Sequence, residues 1–244
     1  MSYHVVYNKL KNYTVLKNFI QFFKILFETV SLFFGKTLLI YARKRRKISL
    51  QQLALLKKIY PYSRIQLQKH ELVMILNRII NYDKCNLLVF GVGWDSISWN
   101  TVNGKGNTVF IEEDKSWMKT IQSLDPELKI KIFKYTTELK DWKHYLKQPE
   151  VLDVALPEQI ERERFDVIIV DGPNGNPHFK ERFGKEPPGR MISIYKASKL
   201  IKKGGSVFIH DCERLVERTY AERFFKKNDF LLKINGILRE YKKI

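Results

Sequence analysis

The sequence predicts an α/β fold: a mostly parallel, Rossmann-like sheet with helices on both faces and a helical extension at its N-terminus. Three observations lead there. Short apolar runs at Asn86–Phe90, 108–111, Phe165–Val170 and 206–209 read as buried parallel strands. Each run ends on a residue suited to a site: Gly91, Glu112, Asp171 and the pair His210-Asp211. In open α/β sheets ligands bind beyond the carboxyl ends of the strands, so four such ends in one chain point to one shared site.

The 244 residues suffice for one such domain with an appendage, and a hydrophobic share of 44% supplies a core. Residues 1–47 are expected to form a helical extension and residues 48–244 the α/β domain. Lys and Arg outnumber Asp and Glu by 44 to 26, and the resulting charge of +18 attracts nucleic acid, acidic glycans or anionic headgroups. Two cysteines, Cys85 and Cys212, exclude a disulfide scaffold and a four-thiolate zinc site.

The extension is apolar over residues 19–41, close to the roughly 20 residues of a membrane span. Lys24, Glu28 and Lys36 interrupt it. Its least apolar positions, Gln21, Lys24, Glu28, Ser31 and Gly35, alternate in steps of three and four and so form one helical stripe. The run Arg43-Lys44-Arg45-Arg46-Lys47 follows. The leading expectation is an interfacial helix with a basic flank on an anionic membrane surface. Next come a helix packed on the domain or a partner subunit, and a spanning signal anchor with its basic cluster in the cytoplasm. No small-residue cleavage site precedes the basic run, so a cleaved signal peptide is not expected.

Ser49 is a candidate N-cap for a first short helix, which Pro61 ends, and a second helix is expected over residues 63–80. Adjacent helical residues point apart, so His70 and Glu71 read as structural rather than as a catalytic pair.

The first strand leads into Gly91-Val92-Gly93, where glycines let the backbone turn and approach a ligand closely. A dinucleotide fingerprint requires a third glycine where Ser96 stands, so that pattern fails. Asp95 and Ser96 open a helix whose N-terminus favours carboxylate or phosphate. About twenty residues beyond the glycines, as a βαβ unit requires, Glu112-Glu113-Asp114 ends the second strand. Glu112, with Glu113 as second choice, is the candidate acceptor for ribose hydroxyls.

A third strand is expected over residues 129–135. The fourth ends at Asp171-Gly172-Pro173. Gly204-Gly205 is expected to be a turn before the fifth, which ends at His210-Asp211. Asp171 and His210 are candidates for a general base, with Asp211 orienting the imidazole or binding a hydroxyl. Asp171 and Asp211 are also candidate ligands for a divalent cation. Residues 174–190, rich in Gly and Pro and carrying Lys180, Arg182, Lys185 and Arg190, read as a substrate lid. Within it, Arg190 is the candidate bidentate clamp for an acceptor carboxylate.

These motifs occur in an order that resembles a known family. Residues 88–96 (LVFGVGWDS), 110–114 (FIEED), 170–173 (VDGP), 188–191 (PGRM) and 208–211 (FIHD), then Arg214 and residues 217–222 (ERTYAE), are similar to plant glucuronoxylan 4-O-methyltransferases and their irregular-xylem relatives. The resemblance covers about residues 50–225 and implies a class I methyltransferase sheet and S-adenosylmethionine as cofactor. It also implies methylation of a hydroxyl on a glucuronic acid side chain. By the same resemblance Gly91, Gly93, Asp95, Glu112 and Asp171 fall on the cofactor side, joined by Ser96, Glu113, Gly172 and Pro173 from the loop reading. Pro188-Gly189-Arg190 and His210-Asp211 fall on the acceptor side. Trp94 departs from the plant pattern, where His is common, as do Asn174 and Cys212-Glu213.

The expected partner is an acidic glycan or glycosylated acceptor, with an anionic membrane surface as a second partner and nucleic acid disfavoured. The expected location is cytoplasmic or peripheral to a membrane, with a Golgi-type signal anchor as the alternative. Two rival readings carry different tests. A nucleic-acid methyltransferase fits the charge and would show steep salt dependence in RNA binding. A membrane-bound interaction protein would not bind the cofactor.

Overall fold

The computed structural model describes residues 3–244, and the side chains of residues 16–181 and 184–244. Three helices come first: α1 (Tyr3–Lys44), α2 (Leu50–Leu56) and α3 (Lys69–Ile80). Alternation of strand and helix follows: β1 (Asn86–Phe90), α4 (Ser96–Asn103), β2 (Asn107–Glu112), α5 (Lys115–Gln122) and β3 (Lys129–Ile132). Short helices α6 (Trp142–Lys147) and α7 (Glu158–Glu161) lead to β4 (Phe165–Val170), then α8 (Phe179–Phe183), α9 (Met191–Leu200) and β5 (Ile201–Ile209). The described chain ends with α10 (Leu215–Phe224) and a hairpin of β6 (Phe230–Asn235) and β7 (Leu238–Lys243).

The seven strands lie in the order β3-β2-β1-β4-β5-β7-β6, parallel from β3 to β5, with β7 antiparallel to both its neighbours. This is the Rossmann-like α/β sheet expected from the sequence, with helices on both faces. The order reverses between β1 and β4, which opens a crevice at their carboxyl ends.

Burial on both faces explains the unbroken apolar strands. Leu87 and Val89 of β1 pack with Leu72, Ile75 and Ile79 of α3 and Trp99 of α4 on one face. Leu88 and Phe90 pack with Ile192 and Ile194 of α9 and Tyr220 of α10 on the other. Each such side chain contributes about 1.5–3 kcal/mol on burial, so the two half-cores, rather than any surface pair, hold the strand tips in place.

Several boundaries differ from expectation. The helix expected over 63–80 begins at Lys69, because Gln68 adopts an extended N-cap conformation and exchanges bonds with Glu71 in a capping box. Residues 62–64 form a separate helical turn. The third strand stops at Ile132 rather than 135. Gly204-Gly205 lies within β5, where the ladder slips: Phe165 pairs with Ile201 but Val167 pairs with Ser206. The terminal hairpin of β6 and β7 lies beyond the elements that the sequence pattern predicts.

Helix α1 docks on the domain through its second half. Ser31, Gly35, Leu39 and Ala42 are buried there, Lys36 pairs with buried Asp125 at 3.2 Å, and Arg43 donates to the carbonyls of Val102 and Asp83. Part of the least apolar stripe therefore faces the protein, and Phe33, Phe34, Ile40 and Tyr41 face outward. From Leu16 to Phe27 every residue is exposed. The segment Leu16–Lys44 is long and apolar enough to cross a membrane. Residues 1 and 2 of the expected extension, and the Arg182 side chain, lie outside what the structure describes.

Candidate active site

A cavity of about 950 Å³ opens at the switch point, between the tips of β1, β2, β4 and β5. Gly91, Gly93, Asp95, Glu112, Glu113, Asp171, Gly172, Pro173, Arg190, His210 and Asp211 all line it, so the structure brings nearly all the sequence candidates together. Ser96 sits one layer back, where its hydroxyl accepts from Gly93 N at 3.0 Å and fixes the loop.

The glycine loop needs its glycines. Gly91 has φ +101°, and a Cβ there would stand 2.9 Å from the Asp171 carbonyl oxygen. Glu112 locks the same loop from the neighbouring strand. One of its oxygens accepts from Val92 N at 3.0 Å, the other from Glu113 N and Asp114 N at 2.7 and 2.9 Å. An ionised carboxylate has about four acceptor positions, so one remains for a ligand hydroxyl. Glu113 reaches solvent, but partial desolvation of its carboxyl against the cavity wall, together with the Glu112 charge, raises its pKa.

At the other two tips lies a compact charge cluster. His210 Nδ1 is 3.1 Å from Asp171 Oδ1 and 3.4 Å from Asp211 Oδ1, and His210 Nε2 is 3.7 Å from Glu71 Oε2. Burial by itself would lower the imidazole pKa, but the bonds to Asp171 and Asp211 and their charges outweigh it and raise it to about 10. His210 is therefore an imidazolium at neutral pH. Burial opposes ionisation of Asp211, yet His210, Arg190 and Arg214 hold its carboxyl well below the usual carboxylate range. Asp95, across the glycine loop, is pushed up to about 7 by burial and by the charge of Asp171.

The structure corrects the role expected of Arg190. Its side chain is buried, and each guanidinium nitrogen donates within the protein. Nε donates to the Pro173 carbonyl at 3.2 Å and Nη1 to the His210 carbonyl at 3.0 Å. Nη2 reaches Asp171 Oδ1 at 3.0 Å and Asp211 Oδ2 at 2.7 Å. A single Nη1 N–H is left over, so the buried side chain has no two-pronged fork to offer an acceptor carboxylate. Arg190 instead ties β4 to β5 and holds two carboxylates at fixed positions.

Sequence reasoning also set Glu71 aside. It is 1% exposed, accepts from Gln68 N and Ile237 N, and faces His210, so it backs the cluster from α3. The capping-box spacing with Gln68 was the signal for its local role; its approach to His210 is purely tertiary. Glu217 lies under the 174–175 loop, buried and without a hydrogen-bond partner among the described residues. Burial pushes both thiols up to about 12, so neither Cys85 nor Cys212 is a nucleophile.

The donor set suits two groups. Asp171, His210 and Asp211 place ligand atoms within 4.8 Å of one another, as a divalent cation requires, although the Arg190 guanidinium already bridges the two carboxylates. The glycine cradle, the free acceptor position on Glu112 and the acidic Asp95 suit a nucleoside bearing a cationic tail.

The chain is similar to several known proteins. Relatives in Arabidopsis thaliana include glucuronoxylan 4-O-methyltransferase 1, 33% identical over 178 residues, which are 64% of this chain and 60% of the relative. Arabinogalactan O-methyltransferase 1 is 32% identical, over 63% of this chain and 59% of the relative. Protein IRREGULAR XYLEM 15 is 34% identical, over 64% of this chain and 54% of the relative. The alignments thus span little more than half the length of these relatives. The model of the IRX15/IRX15L/GXM family matches residues 70–153 and 150–241, which take in the glycine loop, the charge cluster and the hairpin, and the chain belongs to that family.

Proposed function

We propose that the chain is an S-adenosylmethionine-dependent O-methyltransferase whose acceptor is a sugar hydroxyl in a glucuronic-acid-containing glycan. The observation that carries the reading is the meeting of Asp171, Arg190, His210 and Asp211 beside a glycine-loop cavity, in a family whose relatives are named for O-methylation of glucuronoxylan and arabinogalactan.

When bound, S-adenosylmethionine would supply an electrophilic methyl on its sulfonium, which passes to the acceptor oxygen as the S–CH3 bond breaks and neutral S-adenosylhomocysteine leaves. The chain's residues align that oxygen and take its proton. Glu112, with Glu113 beside it, would hold the ribose hydroxyls, and the Gly91–Gly93 loop, Gly172 and Pro173 would receive the nucleoside. Asp171 is the base. Its Oδ1 is held by Arg190 and His210, while Oδ2 has no hydrogen-bond partner among the described residues, and its side chain is one-third exposed in the cavity. His210, already protonated, positions Asp171 and offsets its charge; Asp211 holds His210 and Arg190.

The outward apolar face of α1 and the basic residues 43–47 support attachment to an anionic membrane, with spanning and interfacial insertion both compatible with its length.

The test is transfer of labelled methyl from S-adenosylmethionine to glucuronoxylan, alongside calorimetric titration with S-adenosylhomocysteine. Micromolar binding that Gly93→Val abolishes is expected, since a Cβ at Gly93 meets Asp95 Oδ1 at 2.8 Å and a valine adds more bulk. A folded sample that binds no S-adenosylhomocysteine overturns the reading.

A further inference from the structure

Among the described residues, three arginines line the cavity: Arg64, Arg190 and Arg214. Arg190 and Arg214 are bound to Asp211, at 2.7 and 2.9 Å. Arg64 has no acidic partner and donates no side-chain hydrogen bond among the described residues. It is nevertheless held in place. Its guanidinium carbon stands 4.7 Å from the centre of the Trp94 ring and 5.6 Å from that of Tyr60. Trp94 is braced in turn edge-on by Trp117 at 5.6 Å, and the Trp117 indole donates to the Val92 carbonyl at 2.7 Å. The rings thus tie Arg64 to the glycine loop itself.

Stacking on rings engages the face of the guanidinium and leaves its N–H fork at the edge free, the geometry that receives a carboxylate bidentately. Lys115 and Lys185 also line the cavity, but no ring holds either among the described residues. The backbone supports the same placement. Arg64 lies on the 62–64 turn, whose Tyr62 is fully buried against Gly35 of α1. A cation held by two rings beside a cavity rich in carboxylates, yet bound to none of the described ones, is arranged for an anion that comes from outside.

We propose that Arg64, stacked on Trp94 and Tyr60, is a carboxylate-binding subsite of this cavity. It takes over the clamp that the sequence suggested for Arg190. Resting on the methyltransferase reading, the proposal allows the carboxylate two sources: the amino-acid end of the cofactor, or the uronic acid of the acceptor. A sugar brings a second complementarity, since its C–H face can lie on the exposed part of the Trp94 ring.

The experiment compares the wild-type chain with Arg64→Gln, checking by thermal melt that the variant folds; Arg64 is exposed and the change leaves its backbone turn intact. One arm titrates S-adenosylhomocysteine and its decarboxylated analogue by calorimetry. The other titrates a glucuronic-acid-bearing xylo-oligosaccharide and its carboxyl-reduced form by tryptophan fluorescence. The expected result is at least tenfold weaker binding by the variant of one carboxylate-bearing probe, with its carboxyl-free counterpart unchanged; the affected arm names the source. Unchanged binding of both acids, or equal weakening of an acid and its neutral counterpart, overturns the proposal. A wild-type chain that binds the uronic probe but no S-adenosylhomocysteine overturns the methyltransferase reading instead, and the sugar arm then tests Arg64 by itself.

Discussion

A carboxylate fixed on one oxygen by an arginine and an imidazolium keeps its other oxygen for chemistry, and at Asp171 that division decides what each neighbour can do. Asp171→Asn preserves the shape and much of the bonding to Arg190 and His210 but removes the basic oxygen. Turnover is expected to fall about 10²–10⁴-fold, the usual range for loss of a positioned base, with S-adenosylhomocysteine affinity little changed. Single-turnover rates and calorimetry separate the two. Full activity in that variant removes Asp171 from the mechanism.

His210 gives the opposite pH signature from a catalytic base. Its pKa rises from 6.5 to about 10 on folding, so the protonated form belongs to the folded state. The stability it contributes is fully present below about pH 6.5 and is lost as pH rises through about 10. Urea melts between those limits should show stability falling with pH, and His210→Asn should flatten the slope. Activity should show no rise centred near 6.5, and should decline towards pH 10 as the imidazolium is lost.

Asp95 adds a readout of ligand charge. With a pKa near 7 it is about half protonated at neutral pH. A sulfonium and an ammonium placed beside it favour the carboxylate, so binding of S-adenosylmethionine is expected to release protons. Calorimetry at pH 7 in buffers of different ionisation enthalpy measures that release. It should be smaller with uncharged-sulfur S-adenosylhomocysteine and absent in Asp95→Asn.

Among the elements, α1 has the sharpest single dependence. A Cβ on Gly35 would fall 1.9 Å from the Tyr62 ring, and Tyr62 is fully buried. Gly35→Ala therefore has to push either the helix or the ring. A loss of about 1–3 kcal/mol is expected from overpacking, measured by urea denaturation in detergent. Because Tyr62 begins the turn that carries Arg64, the same variant should also weaken binding of the carboxylate probe. The hairpin makes the complementary connection on the other side: Asn235 donates to the His70 carbonyl, and Ile237 N donates to Glu71.

At the scale of the molecule, the sequence was most readable where local pattern and tertiary role coincide. Strands β1, β2 and β4 are buried on both faces, so their apolar runs and chemical tips stood out. Strand β6 is buried only at Phe230, with lysine and leucine exposed along it, and hides its periodicity. Gly236, at φ +65° in the first position of the two-residue loop 236–237, was the available clue. Arg190 shows the limit on the site side. A sequence displays its charge but not its partners, and those lie at the tips of two strands that only the folded sheet brings together. The Trp94 departure from the plant pattern was legible as a difference; its contact with Arg64 needed three dimensions.

The two sets of contacts around His210 also differ in how far they reach along the chain. Arg190 meets Asp171 and the His210 carbonyl across 19 and 20 residues, whereas Glu71 meets Ile237 across 166. Closure entropy grows with the logarithm of the enclosed length, so the arginine clasp is the cheaper loop to form and the glutamate backing the dearer. Folding should therefore set the Asp171 carboxylate early and seal its rear wall late. Partial opening of the native state should run in reverse, with the hairpin and the start of α3 exchanging their amide hydrogens sooner than the strands that carry Asp171 and His210.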